Sequence, residues 1–182
     1  EIPYLDELIA LCQNVEPDYW NQEEVGYILD TILDYWGILQ SKVCGKRMYS
    51  DIWSEYHCRA QKMVRGAAAV CRNLTASVGA EWIEKLGVMT EEMRKLGHGV
   101  STRELDLVLG LDVEILTSIR EEMRSFDEGL AVGALLAAFQ YIRKNPEEPK
   151  AQDLLDAILD MLRYRKTPAL ISALWVIHNL VY

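Results

Sequence analysis

The stretch 167–182, TPALISALWVIHNLVY, limits what this chain can fold into more than any other. Thr167 is a good helix N-cap, and Pro168 suits the first helical position, where the missing N–H removes no hydrogen bond. Beyond them only Ser172, His178 and Asn179 are polar before the terminal Tyr182. A helix that is apolar on nearly every side must be covered on most of them. At about 15 residues the stretch is shorter than the ~20 needed to cross a bilayer. The pattern predicts a core helix, and the rest of the chain has to supply its cover.

That cover is also helical. Leu5, Leu8, Ile9 and Cys12 recur at helical spacing behind Pro3. Asn21 opens the run NQEE, a capping box with Glu24, and Val25, Ile28, Leu29, Ile32, Leu33, Trp36 and Leu39 follow as one amphipathic stripe. A short basic connection is expected over 41–49. A long helix is expected from Ser50 to about Ser77, with Gly66 as a place to bend or break. Residues 81–86 and 90–96 read as two short helices, each followed by glycine. Ser101 and Glu104 have the spacing of a second capping box. Residues 112–126 are amphipathic, and Asp127 caps a small-residue helix, GLAVGALLAAFQYI, whose glycines and alanines permit close approach. After a loop at 145–150, helix 152–164 is expected to turn Leu154, Leu155, Ile158, Leu159 and Leu162 inward. No segment alternates with period two. The fold class is all-α.

Comparison of the chain with itself exposes repeats. ILDTILDY at 28–35 and LLDAILDM at 154–161 share five of eight positions. ALWVIHNL at 173–180 aligns without gaps on AAAVCRNL at 67–74 and on ALLAAFQY at 134–141. Each has alanine first, a small or apolar run, and, in two of the three an asparagine and in the third a glutamine, an amide seventh. These segments resemble the third helix of an armadillo repeat, and 151–182 resembles the second and third helices of one repeat. IPYLDELIAL at the start is similar to the opening of a second helix. Asn179 lies 39 residues after Gln140, close to the roughly 40–47 of such repeats, whereas Gln140 lies 67 after Asn73, so 78–110 reads as an irregular or inserted region.

The resemblance implies an armadillo-like right-handed α-solenoid of about four irregular repeats over 1–182, in one domain; a globular helical bundle is the alternative. Because internal repeats are covered by their neighbours, and because the chain starts at Glu1 and ends on an apolar helix, it is expected to be a segment of a longer protein. A processed mature form is the other reading of that start. In the armadillo family the third helices line a concave groove, and their Asn side chains hydrogen-bond the backbone of an extended peptide. Carried over here, the partner-binding residues are Arg65, Ala69, Arg72 and Asn73 on one third helix, Leu136 and Gln140 on the next, and Trp175 and Asn179 on the last. Only Trp175 and Asn179 show the full Trp-x-x-x-Asn pair that makes slots for basic side chains. Arg65 and Arg72 beside Asn73 point instead to an acidic peptide near that end. The competing reading of Asn73 and Asn179 is a buried amide bonding a neighbouring turn.

Charge and chemistry narrow the function. Net charge is −9, but 42–72 carries seven basic residues against Asp51 and Glu55, a local +5 that leaves −14 on the remainder. An acidic body argues against wholesale binding of nucleic acid or anionic membrane. No phosphate-binding loop, nucleophile elbow or zinc-protease motif is present, and His57, His98 and His178 are scattered. Cofactor, metal and small-molecule substrate are not expected, and neither is catalysis. Cys12, Cys44, Cys58 and Cys71 lie far apart without a CxxC pair, which fits a reducing compartment, cytoplasmic or nuclear. The sequon at Asn73 falls in a helical pattern and is taken as coincidence. The expected function is a non-catalytic scaffold or adaptor that binds an extended or helical peptide segment of another protein. The alternative is a helical-bundle regulator in which 102–120 is a DNA-binding helix-turn-helix. Acidic Asp112 and Glu114 at the start of its reading helix count against that.

Overall fold

A computed structural model describes residues 7, 10, 21–44, 51–72, 78–96 and 99–181, without the side chains of 51, 52, 54, 172, 176 and 179–181. Among the described residues the fold is all-helical with no strand. The elements are α1 (Gln22–Val43), α2 (Asp51–Arg72), α3 (Ala80–Leu96), α4 (Arg103–Leu109), α5 (Ile115–Met123), α6 (Glu128–Lys144), α7 (Pro149–Tyr164) and α8 (Pro168–Val181). Of the expected first helix only Glu7 and Ala10 are described, and both are helical.

Local signals place most helix starts. Asn21 accepts the Glu24 N–H at 2.9 Å while its own N–H donates to Glu24 Oε2 at 3.1 Å, which completes the capping box. Asp127 accepts the Leu130 N–H at 3.1 Å, and Thr167 accepts that of Leu170 at 3.4 Å. Three of the departures from expectation have a packing cause. Helix α1 continues through Val43, whose buried side chain extends the stripe into what read as a connection. Helix α2 passes Gly66 unbroken, with Ala67, Ala68 and Val70 fully buried beyond it. Residues 81–86 and 90–96 form one helix, because Leu86, Met89 and Met93 are buried on one face across Gly87. A helical glycine costs only ~1 kcal/mol, less than burying any one of those side chains gains.

Two apolar clusters result. The first joins α1, α2, α3 and Leu105 of α4 around fully buried Leu29, Ile32, Tyr56, Met63 and Leu86. The second joins α5 to α8 around Ile119, Leu135 and Leu154. Helix α6 is the centre of that second group, packed against α4, α5, α7 and α8. Its run Ala131–Ala138 is buried throughout, so its small residues let four neighbours approach one axis. In α7 the inward stripe is Ala151, Leu154, Ile158 and Met161, while Leu155 and Leu159 are exposed, contrary to expectation. The apolar stripe of α7 is wider than the face that α5 and α6 cover.

Candidate functional site

The segment 99–112 forms a polar seam between the two clusters. Gly99 has a φ of +86°, a left-handed conformation that glycine adopts without strain. The chain then runs across the start of α6 so closely that a Cβ on Gly129 would lie 2.4 Å from the Gly99 oxygen, and one on Gly133 2.2 Å from Ser101 Cβ. Gln61 of α2 grips the same loop with two hydrogen bonds, donating to the Ser101 carbonyl at 3.0 Å and accepting its N–H at 2.8 Å.

Charged side chains close the seam. Arg103 Nε donates to Glu122 Oε1 at 2.7 Å, and its Nη1 reaches Asp112 at 3.2 Å and Asp106 at 3.5 Å. Asp106 also accepts from Thr102 Oγ1 at 2.8 Å and Arg94 Nη1 at 3.0 Å. Ser101 Oγ donates to Glu122 at 3.0 Å. Buried Glu104 faces Arg65 at 3.6 Å. The expected Ser101–Glu104 capping box is therefore absent: α4 begins one residue later than that box requires, and both side chains are drawn to residues far away in sequence. Burial pushes the carboxyls of Glu104, Asp106 and Glu122 above their ordinary range, against the opposing pull of the arginines. Each seam carboxylate thus faces an arginine of the chain itself, while Glu104 Oε2 and Asp106 Oδ1 are buried without a hydrogen bond.

The residues expected to bind a partner fall in different surroundings. Arg65 is half-buried in its pair with Glu104, and Ala69 and Leu136 are buried. Arg72 is exposed at the end of α2, and Gln140 is half-buried on α6. Trp175 is 64% exposed on α8, its ring edge-on to His178 at 5.9 Å between centroids. Asn73 and the side chain of Asn179 lie outside the described residues, as does the sequon at 73–75. The basic island of 42–72 is partly neutralised, with Arg59 on Glu55 at 2.7 Å in addition to Arg65 on Glu104.

Residues 102–120 do form two helices joined by a turn, with Gly110 left-handed. The second, α5, buries Ile119 and Met123 against its neighbours and carries exposed Val113 and Glu114 ahead of its first turn. Among the described residues no group of His, Cys, Asp and Glu has the geometry to hold a metal ion, and no helix is long and apolar enough to cross a membrane.

Surface relief was missed from the sequence because it depends on which helices become neighbours. A cleft of about 400 Å³ between α1 and α3 has Leu33 and Met89 in its floor and Glu81, Glu84 and Glu92 on its rim. Two more, of about 310 and 500 Å³, lie between α5 and α7. The last two helices leave Leu155, Leu159 and Tyr164 of α7 and Ile171 and Trp175 of α8 exposed. Against this geometry, no protein-family model, no curated protein and no solved structure matches the chain.

Proposed function

We propose that the chain is a non-catalytic protein-interaction scaffold of the armadillo-like solenoid type, which takes a peptide segment of a partner along α2, α6 and α8. The observation that carries this reading is the exposure of Trp175, 64%, with Ile171, 54%, four residues earlier on the same face of α8. Large exposed apolar side chains grouped on one face mark contact surfaces, and Trp is among the residues that most often anchor them. The packing of α8 on α6 supports the solenoid, since consecutive third helices lie side by side in such arrays. A cytoplasmic or nuclear setting goes with the reading.

A photoreactive phenylalanine derivative at position 175 tests it. A discrete partner should cross-link there, be displaced by unlabelled wild-type chain, and bind Trp175→Ala at least ~tenfold more weakly. Because Trp175 is mostly exposed, that variant should unfold within ~0.5 kcal/mol of wild type, which separates lost binding from lost folding. Equal partner binding by Trp175→Ala would remove the reading.

A further inference from the structure

The two clefts between α5 and α7 are parts of one groove, because Arg120 lines both. Residues at the start of α5 and α7, such as Leu116 and Leu154, line the larger cleft, and residues at their ends, such as Met123 and Met161, line the smaller. The two helices therefore run parallel with the groove between them. From Leu154 to Arg165 the α7 side extends ~17 Å at 1.5 Å per residue, the span of about five extended residues.

The smaller cleft has an unusual charge for this protein. Three arginines, Arg120, Arg124 and Arg165, stand around an apolar floor of Met123, Met161 and Ala157, in a chain of net charge −9. The one acid lining it, Asp160, leans toward Arg163 at 3.6 Å. Arg165 is held in place by donating to the Ser125 carbonyl. Arg120 and Arg124 are exposed and make no ion pair among the described residues. Tyr164, 86% exposed, adds an aromatic face at the rim.

We infer that this groove binds an acidic segment of a partner protein, with one or two Asp or Glu side chains at the arginines and a bulky apolar side chain on the methionine floor. Arginine pairs carboxylate in bidentate geometry, and methionine floors adapt to varied apolar groups. Long-range charge decides against a polyanion such as DNA, because an extended phosphate backbone meets the whole acidic surface. A short segment meets only charges within a Debye length, ~8–10 Å. The inference rests on the scaffold reading and adds, to the contact at Trp175, a second and separate one on the α5–α7 face.

The test is selection of a random twelve-residue displayed peptide library on the full 182-residue chain. An enriched sequence is then synthesised with a fluorescent label for anisotropy titration. The expected result is enrichment of Asp or Glu beside Leu, Phe or Met. Affinity should fall at least ~tenfold in the double variant Arg120→Glu/Arg124→Glu, and further with added salt, with no change in Trp175→Ala. Arg124→Gln, which leaves one arginine in place, gives a milder loss should the double variant prove unstable. Peptides insensitive to the arginines but lost with Trp175→Ala would overturn the groove and leave the scaffold reading standing. Failure to enrich any peptide would overturn the groove and leave the scaffold reading to the cross-link at position 175. Duplex DNA binding, or concentration-dependent dimerisation, abolished by the double variant would overturn the inference by placing a different occupant in the groove.

Discussion

Replacing Gly133 with alanine should destabilise the fold, although in isolation it improves a helix. The added Cβ would stand 2.2 Å from Ser101 Cβ and 2.8 Å from Ser101 Oγ. Alanine gains ~1 kcal/mol of helix propensity over glycine. Against that, overpacking costs ~1–3 kcal/mol, and pushing Ser101 away weakens its two Gln61 hydrogen bonds, worth ~1 kcal/mol each. The balance is a loss of about 2–4 kcal/mol, which for a chain this size lowers Tm on the order of 10 °C. Gly37 is the matched control, since a Cβ there meets nothing within 4 Å. Gly37→Ala should raise stability by up to ~1 kcal/mol. Denaturant titration followed by far-ultraviolet circular dichroism measures both, and Ser101→Gly combined with Gly133→Ala should recover part of the loss as a coupling energy. If Gly133→Ala is as stable as wild type, the loop does not lie against α6 as described.

Acidity should act on the seam in an uncommon direction. Glu104, Asp106 and Glu122 have folded-state pKa values raised above the ordinary 4.5 for Glu and 3.8 for Asp, with burial as the largest cause. The folded chain then holds protons that the unfolded chain has lost, so their contribution to stability falls as pH rises above those values. Denaturation midpoints should be higher near pH 5 than near pH 7, with a flatter profile in Glu104→Gln; a steady rise with pH, unchanged by that variant, would contradict this. Asn21→Ala removes the side-chain half of the α1 capping box, leaving the backbone N–H on Glu24, and should cost ~1 kcal/mol in the same titration. Burial pushes the Cys71 thiol up to about 12, so iodoacetamide should label exposed Cys44 and Cys58 in the native chain and reach Cys71 only on unfolding, as read by mass spectrometry.

What could be read from residues in order was local. Asn21 with Glu24, Asp127 with Leu130 and Thr167 with Leu170 are pairs three apart, and each forms as its spacing implies. Ser101 and Glu104 have the same spacing and do not pair, because Glu122 and Arg65 compete for them from 21 and 39 positions away. Gly87 looked like a stop because the burial of Leu86 and Met89 comes from packing rather than from the residues themselves. The candidate site was less legible still. The spacing that marked Ala69 and Leu136 is one a buried face also produces, and it is the buried face they occupy. The α5–α7 groove brings Arg120 beside Arg165, a neighbourhood that no window of sequence contains.

The uneven division of the seam bears on how the chain is made. Asp106 takes its hydrogen bonds from Arg94 and Thr102, Glu104 faces Arg65, and Ser101 is gripped by Gln61, all of which precede α5. The first apolar cluster likewise closes with Leu105. A growing chain can therefore settle α1 to α4 and their buried charges before the second half has left the ribosome, since synthesis runs N-terminus first at ~5–20 residues per second. Arg103, with Asp106 beside it, and the Ser101 hydroxyl wait for Glu122 still to come. When α5 and α6 arrive they meet a finished surface whose one open charge tells them where to dock.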